Sequence, residues 1–403
     1  MPFEQQIEEL IRGPQYAAPQ AEKESRLLPI LRAVCQDVAG RCPPYARFLA
    51  RLGGPAEGWQ RLADVPPLPA ASFKHLPLVA VPPDKIVREL RSSSTTGQAA
   101  SRIMIDKTTA FRQSRALVAV LKEHLGPERR PLLVLDVPES VAPGETLSAR
   151  GAAIRGIGNF ASQTTFGLAS LKGTPVKGTV PFSSDENRDS PQDENRDSPR
   201  VLPSADVEAD WEAVTDFFRR HAERPLLVFG FTFLVWSRFL VEAQRRGLQF
   251  HAPQAVLLHS GGWKKLAAQS VTKDDFNRRA AEVLGCGPAG VLDFYGMVEQ
   301  VGTVFVDCPA GNKHAPAFAD VLIRRSYDLR PVAPGETGII EVVSVLPTSY
   351  PGQAILTEDQ GRLLGVDDCP CGRRGTYFRF TRRIEQAEIR GCGDTFAQSR
   401  EIR

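Results

Sequence analysis

The ten residues VLDFYGMVEQ, positions 291–300, change character half-way along. Residues 291–294 form a short apolar run of buried-strand type. Directly after it come Tyr295, Gly296 and, three positions on, Glu299. A buried strand that empties into functional groups is what the carboxyl end of a parallel strand looks like, and there α/β folds collect their ligands. A tyrosine able to stack on a base, followed by a carboxylate able to hold Mg2+ against phosphate oxygens, makes chemical sense as one unit.

Outward from this stretch the same strand type recurs at 132–137, 226–231 and 255–258, each run bounded by Gly, Pro or polar residues. Residues 102–105 read as a further short strand, and 108–125 as a helix with Leu117, Val118, Leu121 and Leu125 on one face. This alternation predicts an α/β fold, with the body over 85–335. Before it, residues 1–84 read as a helical N-terminal segment, opened by a surface helix with Phe3, Ile7, Leu10 and Ile11 at helical spacing. The Pro-rich stretch 66–83 is expected to separate that segment from the body. After it, 336–380 is strand-rich and predicts a small β subdomain, followed by a short tail, 381–403. One segment stands apart: DENRDSPQ at 185–192 is repeated as DENRDSPR at 193–200. Such polar repeats bury too little to offset ordering, so 176–203 is expected to be a disordered insertion.

With 50 basic against 47 acidic residues the net charge is +3, far from the concentrated basic surface that nucleic-acid binding needs. The apolar run 225–236 is too short to cross a bilayer as a helix, and the glutamate-rich start is unlike a secretory signal. Seven cysteines, an odd number, argue for metal ligands or reactive thiols rather than a disulfide framework, and so for a reducing cytoplasm.

Three more motifs carry chemistry. SSSTTG at 92–97 offers hydroxyls and approachable backbone amides of the kind a polyphosphate requires, although Ser/Thr-rich loops are common without one. HSGGWKK at 259–265 sets paired glycines at a strand end, where a flat ring can approach the backbone. A tight turn with Trp263 in the core explains the same residues. LTED at 356–359 places Asp359 where it can accept both ribose hydroxyls, or simply in an exposed loop. A different pattern, Cys308 with His314 and Cys369 with Cys371, supplies three sulfurs and an imidazole. That is a complete tetrahedral zinc set of structural type, if the two pairs meet and are not unrelated cysteines in turns.

The order of these motifs on an α/β chain resembles the adenylate-forming enzymes, which include acyl-CoA ligases, firefly-type luciferases and peptide-synthetase adenylation domains. The resemblance implies ATP and Mg2+ as cofactors. It carries Ser93, Thr95, Thr96 and Gly97 over as the phosphate loop, and Gly261 and Gly262 as the adenine-side turn. Tyr295, Gly296 and Glu299 correspond to the stacking and magnesium motif, Asp359 to the ribose aspartate, and Arg382 to the arginine before the hinge.

Within that superfamily the sequence is closer to the LuxE-like acyl-protein synthetases. The shared stretches include Phe73-Lys74, the phosphate loop, 259–266, 294–300, Ser349-Tyr350-Pro351-Gly352, 356–361 and 387–395. This resemblance implies a fatty-acid substrate, an acyl reductase partner, and Cys392, flanked by Gly391 and Gly393, as the thiol that receives the acyl group. The chain ends at Arg403, where CoA-forming relatives carry a further C-terminal domain of about a hundred residues. That domain is therefore expected to be reduced or absent. A CxxxxxH and CPCG pair around a structural zinc occurs in phenylacetate-CoA ligase-like relatives. Ser94 and Thr381 stand where the pattern usually has glycine, and Lys264 and Lys265 are candidates to neutralise phosphate charge. A phenylacetate-type acid-CoA ligase and a degenerate nucleotide-binding protein are the alternative readings.

Overall fold

The computed structural model describes residues 2–92, 100–141, 146–171, 207–263 and 270–384. Seventeen strands run along the described residues. They are β1 (Leu68–Pro69), β2 (Ile86–Arg91), β3 (Arg102–Asp106), β4 (Arg130–Leu135), β5 (Thr146–Ser148), β6 (Ala161–Phe166), β7 (Leu168–Ser170), β8 (Val207–Ala209) and β9 (Leu226–Phe231). There follow β10 (Ala255–Ser260), β11 (Val291–Gly296), β12 (Val304–Val306), β13 (Lys313–His314), β14 (Ala319–Arg324), β15 (Thr337–Ser344), β16 (Ala354–Val366) and β17 (Thr376–Arg383).

The near-continuous apolar runs become a parallel sheet buried on both faces, as such runs must. Its order is β12-β11-β10-β9-β4-β6, parallel except for β12, which closes the edge antiparallel to β11. Leu132, Val134, Leu227 and Phe229 face one core with the helix Lys107–Leu125, while Leu133, Leu135, Leu226 and Val228 face another with Trp211–His221 and Lys273–Leu284. Each helix opens on a side-chain cap, from Asp106, Asp210 and Thr272 respectively.

A second sheet, β13-β17-β16-β15-β14, is antiparallel and begins at Lys313, earlier than the 336 boundary expected from the sequence. Its sixth strand comes from the far end of the chain. β1, inside the Pro-rich stretch, lies parallel to β16, with Leu68 opposite Ile355 and Pro69 opposite Leu356. That stretch therefore ties the N-terminal helices to the β sheet rather than spacing them from it. Phe3, Leu31 and Tyr45 share one apolar core with Leu132, Val343 and Ile355. No described helix is long and apolar enough to cross a membrane. The repeat insertion lies outside the described residues.

Candidate active site

β10 and β11 deliver their carboxyl ends side by side, with Ser260 opposite Phe294 and the Ser260 hydroxyl donating to the Phe294 carbonyl at 2.7 Å. The chain leaves β10 through Gly261 at φ +88°, a left-handed conformation that side chains resist. Trp263 stands edge-on to Trp236, with centroids 5.5 Å apart, and packs half-buried against the core. Lys264 and Lys265 lie outside the described residues.

β11 leaves through Tyr295 and Gly296 into a one-turn helix, Val298–Gln300, that buries Glu299. Gln300 pins this turn to the β sheet, its amide donating to the carbonyls of Val342 at 2.9 Å and Gly352 at 2.6 Å. Tyr295 donates a 2.9 Å hydrogen bond to Asp359 Oδ2, and its ring stacks on Phe380 at 5.8 Å. Asp359 is thus not in a loop but within β16, on the face that looks at the end of β11. Burial raises its carboxyl above the usual range, and the Tyr295 bond opposes that push. Burial also raises Glu299, opposed by a hydrogen bond from Ser101 and by the charge of Lys74.

Ser101 connects this carboxylate to the hydroxyl-rich loop. Ser92 N donates to the Ser101 carbonyl at 3.1 Å, and Ser101 N donates back to Ser92 Oγ at 2.9 Å. The feet of the loop between β2 and β3 are therefore clamped beside Glu299. Ser93, Thr95, Thr96 and Gly97 themselves lie outside the described residues, as does Cys392.

Two neighbouring arginines of β17 reach β16. Arg383 stands opposite Asp359 across β16 and β17 and pairs with Glu358 at 2.8 Å. Arg382 stands opposite Gln360 and donates to its side chain at 3.0 Å. The register of β16 and β17 thus sets Arg383, and not Arg382, directly across from Asp359. Lys74, from the short helix Ser72–His75, completes the group at 3.2 Å from Glu358. Sequence reading missed Ser101 and Glu358 in this role and saw Lys74 only as part of a shared stretch. Phe229, by contrast, is wholly buried in the strand, stacked on Phe294 at 6.4 Å.

The two Cys/His pairs do meet. The ligand atoms of Cys308, His314, Cys369 and Cys371 all lie within 4.8 Å of one another. Cys308 Sγ and Cys369 Sγ are 3.9 Å apart, and Cys371 Sγ is 3.4 Å from His314 Nε2. Thiolates on a tetrahedral zinc ion, each at about 2.3 Å, stand roughly 3.8 Å apart, so the donors and their spacing fit such an ion. The fingers that hold them are tight turns, Gly311 N donating to the Cys308 carbonyl at 2.7 Å and Gly372 N to that of Cys369 at 3.0 Å. Between this cluster and β11 lies a buried charge relay: Lys313 bridges Asp293, at 2.7 Å, and Asp307, at 3.0 Å.

A parallel sheet thus ends in a tyrosine and a buried glutamate and is faced by an aspartate of the β sheet. The sequence profile described as acyl-protein synthetase, LuxE, matches residues 57–189 and 200–400. The chain belongs to the LuxE acyl-protein synthetase family.

Among curated relatives of this LuxE-family chain, the long-chain-fatty-acid–luciferin-component ligase of Aliivibrio fischeri is 24% identical over 191 residues, which is 46% of this chain and 49% of that protein. The ligase of the same name from Vibrio harveyi is 24% identical over 144 residues, 36% of this chain and 37% of that one. The matched regions thus span less than half of each relative. Among solved structures, an open conformation of 2-hydroxyisobutyryl-CoA ligase with its acyl-AMP and CoA superposes with a TM-score of 0.61. It is 18% identical, covering 93% of this chain and 78% of that one. The fold is therefore that of the adenylate-forming ligases.

Proposed function

We propose that this LuxE-family chain uses MgATP to activate a fatty or other apolar carboxylic acid as an acyl adenylate. The acyl group then passes to the Cys392 thiol as a thioester, for delivery to an acyl reductase. The observation that carries the first step is the convergence of Tyr295, Glu299 and Asp359 at the carboxyl end of β11. Glu299 is a buried carboxylate whose basic neighbours, Lys74 and Arg383, pair with Glu358 instead, which suits it to Mg2+. Asp359 has one oxygen bonded to Tyr295, leaving acceptor capacity for ribose hydroxyls. Gly261 and Gly262 let the adenine ring approach the end of β10.

The chemistry follows from those placements. A substrate carboxylate oxygen forms a bond to the α-phosphorus, and the bridging P–O bond breaks with its electron pair leaving on pyrophosphate. Mg2+, when bound, screens the phosphate charge that would repel the incoming carboxylate. Glu299 would hold the metal, the Ser92–Ser101 pair lies beside it, and Tyr295 and Asp359 would fix the nucleoside. The cysteine step rests on the family resemblance, in which a thiolate displaces AMP. We assign the Cys308, His314, Cys369 and Cys371 cluster as a structural zinc site, closed by four protein ligands.

The test is carboxylate-dependent exchange of pyrophosphate into ATP over acids of increasing length. Exchange by the wild type and its loss in Glu299→Gln support the proposal; its absence over the whole panel would sink adenylation. Mass spectrometry after ATP and myristate reports the acceptor: an acyl adduct that persists unchanged in Cys392→Ala removes the thiol step. Free CoA added to the same assay separates this reading from that of an acid-CoA ligase.

A further inference from the structure

Glu358 has a basic partner on each carboxylate oxygen. Lys74 Nζ is 3.2 Å from Oε1, and Arg383 is 2.8 Å from Oε2. The two cations come from opposite ends of the chain, and Lys74 reaches the site by a built route. β1 lies along β16, and Ala70 N donates to the Leu356 carbonyl at 2.9 Å. The turn before Lys74 is thereby fixed two residues from Glu358. On its other side Phe73 is buried edge-on against Tyr350, with centroids 6.0 Å apart. The helix Ser72–His75 is thus held by a strand pairing and an aromatic anchor, and it does not need the ion pair to stay in place.

What that anchoring delivers is an ammonium group beside the metal-side carboxylate. The Lys74 side chain is 15% exposed and that of Glu358 21%, so the pair is not sealed in the core. The Lys74 charge reaches Glu299, where it opposes the upward push of burial. Arg383 stays on the other oxygen of Glu358, so Glu358 keeps a partner if Lys74 turns away.

We propose that Lys74 is the cation that takes the charge of the departing pyrophosphate, exchanging Glu358 for phosphate oxygens as the acyl adenylate forms. This rests on the adenylation reading above. In that step the carboxylate–phosphorus bond forms, and the electron pair of the breaking bridge goes to pyrophosphate. Lys74 gives up no proton; it supplies fixed positive charge where negative charge grows. A preorganised group of this kind acts on the transition state more than on the bound ground state.

The test compares wild type, Lys74→Met and Lys74→Arg in three measurements: pyrophosphate exchange, melting temperature, and affinity for an acyl-sulfamoyl adenosine, which mimics the adenylate without pyrophosphate. Lys74→Met is expected to lower the exchange rate roughly 100-fold and raise the KM for pyrophosphate. Its affinity for the adenylate mimic and its melting temperature stay near wild type. Lys74→Arg recovers most of the rate. Wild-type exchange in Lys74→Met overturns the proposal, and so does a parallel loss of mimic affinity, which marks a structural role. No exchange by the wild type removes the adenylation reading and this inference with it.

Discussion

Tyr295 and Asp359, 64 positions apart, share a hydrogen bond that joins the last residue but one of a parallel strand to the middle of an antiparallel one. Together with the bond from Gln300 to Val342 it ties the two sheets over the site. Tyr295→Phe keeps the ring stack on Phe380 and removes only the donor. Loss of one such bond should cost about 1 kcal/mol, with a KM for ATP raised several-fold and the turnover of exchange nearly unchanged.

The same variant shifts a pH profile. Asp359 and Glu299 both sit above their ordinary values because burial disfavours their charge, and both work as carboxylates in the proposed reaction. Exchange should therefore fall off on the acid side at a higher pH than ordinary carboxyl groups dictate. Since the Tyr295 bond lowers Asp359, Tyr295→Phe should move that limb further up. Exchange rates at subsaturating ATP across the acid range measure it; a limb that stays in place argues that neither carboxylate must ionise.

Arg383→Ala and Arg382→Ala separate the two arginines. Arg383 stands opposite Asp359 and pairs with Glu358, whereas Arg382 stands opposite Gln360 and bonds to it. The first should raise the KM for ATP about 10-fold, the size of one lost charge-assisted contact, and the second should change it less than about two-fold. The reverse order would restore the assignment that the family pattern gives to Arg382.

Zinc content and stability test the cysteine cluster together. Purified protein should carry one zinc per chain, lost in Cys308→Ser and in Cys371→Ser. Removal by chelation should cost about 2 kcal/mol or more, which is roughly 2–3 °C or more in Tm for a chain of this length. Protein that keeps its Tm after zinc is stripped would show the cluster to be incidental.

Glu341 gives a pH-dependent stability of defined sign. It is buried in the β sheet, ion-paired with Arg324, and burial pushes its carboxyl up to about 7. The folded protein then holds this proton more tightly than the unfolded chain does. The resulting stabilisation is complete below the ordinary carboxyl value of 4.5 and is lost as pH rises through about 7. Tm measured from pH 5 to 8 should decline, and Glu341→Gln should flatten that decline.

Much of this was legible in the chain. The strands at 132, 226, 255 and 291 announced themselves because parallel strands covered on both faces are apolar at every position. Tyr295 and Asp359 come together in the structure, and the two Cys/His pairs that their spacing singled out lie side by side. What was not legible depends on register. Nothing in the string TRR at 381–383 says which arginine faces Asp359; the pairing of β17 with β16, including its bulges, decides it. Lys74 was obscured for a related reason, since it reaches Glu358 only through the pairing of β1 with a distant part of the chain. The Pro-rich stretch read as a spacer because prolines rarely mark a strand, yet a two-residue edge strand tolerates them.

That two-residue strand sets a schedule for folding. Leu68 cannot find Ile355 until most of the chain has left the ribosome, so the apolar surfaces of the first three helices wait, half-covered, for a sheet made near the end of synthesis. The N-terminal quarter is thus a late passenger in its own protein. Long-range closure of this kind is slow and leaves intermediates prone to association. Nascent chains stopped before residue 354 should remain sensitive to protease in the 1–84 region.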